Sequence, residues 1–131
     1  MENPGGSALT ILLIDDDPNI VEAMSIFFKG EGYDVHGALS GEEGIVLARK
    51  VSPDIIVLDI EMPPGIGGPE VCRKLRDEPA TSEIPIIFLT AKVDLDAMEE
   101  TYEGDAQGYL LKPFSPHDLL GMIREVLELD D

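Results

Sequence analysis

The stretch that most limits the possible folds is Asp54-Ile-Ile-Val-Leu-Asp59-Ile-Glu-Met-Pro-Pro64. Ile55 to Leu58 form a continuous, mostly β-branched apolar run with no polar alternation, which predicts a strand buried on both faces. Such a strand belongs in the middle of a sheet with helices above and below it. Pro63, Pro64, Gly65, Gly67 and Gly68 forbid its continuation. Asp59 is therefore left at the carboxyl end of a central strand, the edge at which open α/β sheets bind their ligands.

The remaining segments fit the same plan. Ala8 to Ile14 is a second apolar run and ends on Asp15-Asp16-Asp17-Pro18. Asp17 is placed to cap a helix whose first residue is Pro18. Ile20, Ala23, Met24, Phe27 and Phe28 give that helix an apolar stripe, and Gly30 and Gly32 end it. Tyr33 to Ala38 predicts a short strand. Ser40-Gly-Glu-Glu43 is a capping box that opens a helix to about Lys50. A third helix is expected from about Pro69 to Asp77, burying Val71, Cys72 and Leu75. Ile84 to Leu89 predicts the fourth strand, followed by Thr90-Ala91-Lys92. Leu95, Met98 and Tyr102 give the next segment a thin helical stripe. Tyr109 to Leu111 predicts the fifth strand. Ser115 and Pro116 open a last helix with Leu119, Leu120, Ile123, Val126 and Leu127 inward.

Strand and helix thus alternate five times with short connections. This is an α/β pattern, a doubly wound five-stranded parallel sheet of (βα)5 type. Right-handed crossovers favour the flavodoxin-like strand order 2-1-3-4-5. The length of 131 residues suits one domain. Residues 1–7 read as a disordered tail and residues 8–129 as the domain. Cys72 is the only cysteine, which excludes a disulfide framework and a Cys-based metal site and fits a reducing, cytoplasmic setting. The chain contains neither a signal-peptide pattern nor a membrane-length apolar run. A net charge of −18 disfavours contact of this domain with nucleic acid or an anionic membrane.

At the carboxyl ends of strands 1, 3, 4 and 5 stand Asp15 and Asp16, Asp59, Thr90 and Lys112. In the order 2-1-3-4-5 these strands are consecutive neighbours, so the side chains converge. An isolated strand-ending Asp is usually only a turn residue, and the joint placement is the informative signal. Three carboxylates this close require a proton or a cation among them. Oxygen donors with open positions suit Mg²⁺ bound beside a phosphate-bearing substrate.

The motifs Leu-Leu-Ile-Asp15-Asp16-Asp-Pro, Ile-Val-Leu-Asp59-Ile-Glu-Met-Pro, Phe-Leu-Thr90-Ala91 and Gly-Tyr109-Leu-Leu-Lys112-Pro113-Phe resemble those of response regulator receiver domains in two-component signalling. The resemblance runs from about Thr10 to Leu127. It implies that Asp59 accepts a phosphoryl group from a phosphohistidine of a sensor histidine kinase or phosphotransfer protein. It implies Asp16 and Asp59 as Mg²⁺ ligands, Asp15 acting mostly through water, and the main-chain carbonyl of Glu61 in the metal shell. Thr90 and Lys112 would bind the phosphoryl oxygens. Thr90 and Tyr109 would form the switch, and Lys112-Pro113 a cis peptide. Such a domain catalyses only its own phosphorylation and dephosphorylation, and signals to a partner or attached output domain through the segment after strand 4 and strand 5.

Two features depart from the family's pattern. The loop Asp59-Ile-Glu-Met-Pro-Pro-Gly-Ile-Gly-Gly68 is one residue longer than usual, with Gly67 where an acid is common. The family's Gly-Ala-Asp-Asp-Tyr run appears as Gly104-Asp-Ala-Gln107-Gly-Tyr109. Between Lys92 and Asp105 stand six acids and one base, a composition that repels a second copy and suits a basic partner. Glu61 and Lys92 are expected to face each other over the pocket. His36 and His117 read as surface residues.

Three other functions use part of this pattern. A flavodoxin-type cofactor binder needs a phosphate-cradling loop after strand 1, where this chain has three acids. An aspartyl-phosphate phosphohydrolase would use Glu61 as its second acid but would need a cap domain. A receiver that only binds partners would not need the intact acid site.

Overall fold

In the computed structural model, residues 8–63, 65–91 and 106–129 are described. Five parallel strands form one sheet in the order β2-β1-β3-β4-β5. They are β1 (Thr10–Ile14), β2 (Asp34–Ala38), β3 (Ile55–Asp59), β4 (Ile86–Thr90) and β5 (Gly108–Leu111). Helix α1 (Pro18–Gly30) follows β1, α2 (Gly41–Val51) follows β2, α3 (Gly68–Arg76) follows β3, and a C-terminal helix (Pro116–Val126) follows β5. The expected helix around Leu95, Met98 and Tyr102 lies outside the described residues. So do the acidic stretch 92–105, the Glu61–Lys92 pairing and residues 1–7. Among the described residues, no helix is long and apolar enough to cross a membrane.

The sheet has a core on each face, because the side chains of each strand alternate between them. On one face α1 and the C-terminal helix bring Met24, Phe28, Leu119, Leu120 and Ile123 onto Ile11, Leu13, Ile55, Val57, Ile87 and Leu89. On the other, α2 and α3 bring Ile45, Ala48, Val71, Cys72 and Leu75 onto Leu12, Ile14, Ile56, Leu58, Ile86 and Phe88. Every residue of β3 and β4 is buried, as the unbroken apolar runs required. Residue registers align the carboxyl ends: Ile14 lies beside Leu58, Asp59 beside Leu89, and Thr90 beside Leu111.

Local sequence sets the helix ends. Asp17 accepts a hydrogen bond from Asn19 N–H at 2.9 Å and Pro18 follows it. Gly32, at φ 95°, turns the chain into β2 in a conformation open to glycine. Ser40 caps Glu43 N–H at 3.1 Å, but the Glu43 carboxylate reaches back to Leu39 N–H, one residue earlier than a reciprocal box would place it. At the C-terminal helix the box is closed, between Ser115 and Asp118.

Some boundaries and burials differ from the sequence reading. β1 begins at Thr10 rather than Ala8, where Asp54 accepts the Thr10 N–H at 2.7 Å. β4 begins at Ile86 rather than Ile84. The backbone groups of Ile84 are used before the strand starts: its N–H donates to Thr81 O and its carbonyl accepts from the Arg76 guanidinium. In α1, Ala23 is exposed and Val21 is half-buried in its place. Val21 packs over β2 where Gly37 leaves room: a Cβ on Gly37 would lie 2.5 Å from Val21 Cγ1.

The lengthened β3–α3 loop closes on backbone contacts. Gly68 N–H donates to Ile60 O at 2.9 Å. A Cβ on Gly68 would meet Asp59 O at 2.6 Å and Ile60 Cα at 2.9 Å, and backbone atoms cannot rotate away. Gly121, in the C-terminal helix, has nothing within 4 Å of its virtual Cβ. Gly68→Ala is therefore expected to destabilise the fold by about 1–3 kcal/mol through overpacking. Gly121→Ala should stabilise it by about 0.5–1 kcal/mol, by removing backbone freedom from the unfolded chain. Urea denaturation of the two variants checks both signs.

Candidate functional site

Two carboxylates lie under the carboxyl edge of the sheet, and a lysine stands between them. Asp15 follows the last residue of β1 and is 2% exposed, and Asp59 ends β3 and is 5% exposed. Lys112 Nζ is 3.3 Å from Asp15 Oδ2 and 3.3 Å from Asp59 Oδ2. The backbone holds all three in place. Asp15 N–H donates to Ala38 O at 3.1 Å, Ile60 N–H to Leu89 O at 3.0 Å, and Lys112 N–H to Thr90 O at 2.7 Å. Asp15 Oδ1 accepts the Asp17 N–H at 3.0 Å, which fixes that carboxylate at the start of α1. Asp59 Oδ1 faces the Glu61 N–H at 3.4 Å. The Lys112–Pro113 peptide is cis.

Of the other residues singled out in the sequence, Asp16 joins this centre and Thr90 ends the strand beside Asp59's. Asp16 is exposed beside Asp15. One carboxylate oxygen from each of Asp15, Asp16 and Asp59 can be chosen so that the three lie within 4.8 Å of one another. Thr90 ends β4, 1% exposed. Tyr109 is half-buried on β5 and packs toward Phe88. The side chain of Glu61 is exposed at the mouth. His117 is exposed and His36 pairs with Asp34 at 3.4 Å on edge strand β2, so neither joins the site. The double ion pair of Lys112 was not anticipated, since the sequence suggested only phosphate contacts for it. The available signal was the charge problem itself: three acids at one edge needed a cation, and Lys112 was the base on the same edge.

Electrostatics follow from burial and charge together. Burial, then the neighbouring Asp15 charge, push the Asp59 carboxyl up to about 6, with Lys112 and the Glu61 N–H opposing the rise. Lys112 moves upward overall. Its burial lowers it, but attraction to Asp15 and Asp59 outweighs that loss. The lysine therefore remains a cation while the two carboxylates compete for it.

The same donors suit a metal ion. Asp15 Oδ2 is buried and accepts no hydrogen bond among the described residues. Lys112 Nζ faces it as a charge. A set of carboxylate oxygens with no thiol or imidazole beside it matches a hard divalent cation. The cluster is able to hold one.

Because the native state raises the Asp59 pKa, it holds that proton more tightly than the unfolded chain does. Stability is therefore lost as pH rises from about 4 through about 6, and the loss is complete above that window. Asp59→Asn should be more stable than the parent at pH 7.5, by about 1–2 kcal/mol after allowance for solvent screening. The advantage should vanish near pH 4, where the native carboxyl is already protonated. Urea denaturation of both proteins at the two pH values gives the sign.

Comparison with known proteins agrees with this geometry. The sequence pattern of the response regulator receiver domain matches residues 11–124. The DNA-binding response regulator MtrA of Mycolicibacterium smegmatis is 38% identical over 92% of this chain, and the match covers 51% of that protein. The DNA-binding dual master transcriptional regulator RpaA of Synechocystis is 39% identical over 92% of the chain and 50% of its own length. The chain thus spans about half the length of the curated relatives it matches. Among solved structures, chemotaxis protein CheY4 of Vibrio cholerae superposes with a TM-score of 0.84 at 30% identity, over 92% of this chain and 99% of that one. The match extends from β1 to the C-terminal helix and takes in the whole acid pocket, so the chain belongs to the response regulator receiver domain family, the regulatory signalling domains of two-component systems.

Proposed function

We propose that Asp59 is the phosphoacceptor, charged in the presence of Mg²⁺ by a phosphohistidine of a sensor histidine kinase or phosphotransfer protein. The observation that carries this reading is the buried Asp59 carboxylate held 3.3 Å from the Lys112 cation, with Asp15 and Asp16 beside it. A carboxylate oxygen of Asp59 attacks phosphorus in line. The O–P bond forms as the P–N bond of the donor breaks. That electron pair stays on the leaving imidazole nitrogen, and a proton on the other ring nitrogen lets the ring depart neutral.

The residues divide the work. Lys112 neutralises charge on the transferring oxygens, and the Thr90 hydroxyl is drawn to them once the group is in place. Asp16, exposed at the rim, is the direct metal ligand. Asp15, buried with one oxygen held by the Asp17 N–H, acts through water. Asp59 and the Glu61 carbonyl complete the protein's share of the shell. The ion supplies charge neutralisation for the phosphoryl oxygens. The domain catalyses only its own phosphorylation and dephosphorylation. Movement of Thr90 vacates space into which Tyr109 turns, and this biases the surface read by the partner.

The MtrA and RpaA relatives are DNA-binding regulators, which supports a DNA-binding output for a longer protein or an associated partner. The charge of −18 keeps nucleic acid away from this domain and suits a cytoplasmic partner with a basic surface.

Incubation with a small acyl- or amido-phosphate and Mg²⁺ should add one phosphoryl group, and mass spectrometry should locate it on Asp59. Asp59→Ala should abolish the label, and equal labelling of that variant would remove the proposal. Asp16→Ala should weaken Mg²⁺ binding in calorimetry more than Asp15→Ala, and equal losses would mean that the two roles are wrongly divided.

A further inference from the structure

Among the described residues four large apolar side chains are exposed, and two of them, Leu39 at 46% and Val46 at 57%, lie on α2 and the turn before it. Glu42 and Glu43 precede Val46 by four and three residues, so they share its side of the helix. The Glu43 carboxylate accepts the Leu39 N–H at 2.8 Å, which holds Leu39 next to them. The lengthened β3–α3 loop closes on this end of α2. A Cβ on Gly41 would lie 2.7 Å from Ile66 Cγ1, and a Cβ on Gly65 would lie 3.0 Å from Glu42 Oε1. Pro63 and Gly65 are exposed there, and Ile66 is half-buried. Residues 39–48 and 59–72 contain five acids and no base. Lys50, one turn beyond Val46, marks the far border, and Arg49 beside it is engaged by Glu78. Acids in the first turn of α2 also suit the helix dipole. The dipole gives no reason for two exposed apolar side chains among them.

We propose that the amino end of α2 and the lengthened loop form a docking surface for a basic amphipathic helix of a partner protein. The exposed side chains run along α2, which suits a helix laid against it with apolar residues on Leu39 and Val46. Lysines or arginines of the partner lie over Glu42 and Glu43. Lys50 repels them from the other end, so the charge pattern sets the direction of the helix. Gly65 and Ile66, which take no part in the phosphoryl chemistry, form one wall. The inference deepens the reading of a basic partner and rests on it for the partner's charge, but it does not depend on phosphorylation of Asp59.

The test uses the ¹⁵N-labelled full chain, without phosphodonor or metal, and a synthetic Leu/Lys peptide patterned as an amphipathic helix. In NMR spectra the peptide should shift the backbone amides of 39–47 and 65–68 more than any others. Leu39→Gln and Val46→Gln should each weaken binding about 4- to 12-fold, the worth of burying the exposed half of such a side chain. Glu42→Lys should weaken it by at least about 2-fold. Ile26→Gln, at an exposed apolar residue of α1, should leave the affinity unchanged. A scrambled peptide of the same composition should not distinguish the variants at 39 and 46 from the parent. Amide shifts centred elsewhere on the chain overturn the proposal, because they would reflect general attraction to an acidic protein. An unchanged affinity in Leu39→Gln and Val46→Gln, or an equal loss in Ile26→Gln, also overturns it. No phosphoryl group enters the measurement, so a failure of Asp59 labelling and a failure of this inference are distinguishable.

Discussion

Lys112 is the cation that two buried carboxylates share, and the arrangement of the carboxyl edge depends on it. Asp15 and Asp59 are both nearly solvent-free, and an uncompensated buried charge costs several kcal/mol per ion. One lysine at 3.3 Å from each cannot neutralise both. Burial, and after it the negative charge of Asp15, push the Asp59 carboxyl up to about 6, and the uncompensated charge leaves the pocket prepared for a second cation. A site balanced this way is stable enough to fold and electrostatically incomplete.

The fold serves that balance by fixing backbone rather than by enclosing a cavity. Parallel registers bring the ends of β1, β3, β4 and β5 to one line, and main-chain hydrogen bonds from Asp15 to Ala38, from Ile60 to Leu89 and from Lys112 to Thr90 hold those ends together. The glycines at 67 and 68 let α3 start directly against Asp59 O and Ile60 O. Gly67 makes no side-chain cap here, so that helix begins without one.

Much of this was legible in the sequence because it rests on strong, local signals. The continuous runs at 55–58 and 86–89 had to be central strands, and Pro18, Ser40 and Ser115 marked helix starts by mechanism. The convergence of Asp15, Asp16, Asp59, Thr90 and Lys112 followed from strand order alone. Weaker signals failed where tertiary contacts decide. Ala23 fitted the helical period, but Gly37 drew Val21 inward instead, and Ile84 looked like strand until Arg76 and Thr81 claimed its backbone. The pairing of Lys112 with both acids depends on how a side chain crosses the sheet edge, which spacing along the chain does not encode.

The most direct test of the shared-cation account is the titration of the Asp59 carboxyl carbon by ¹³C NMR in the parent and in Lys112→Met. The parent midpoint should fall near 6. Loss of the lysine removes a contribution that holds the carboxyl down, so the midpoint should move clearly upward in the variant. A midpoint that stays in place, or falls, would contradict the account.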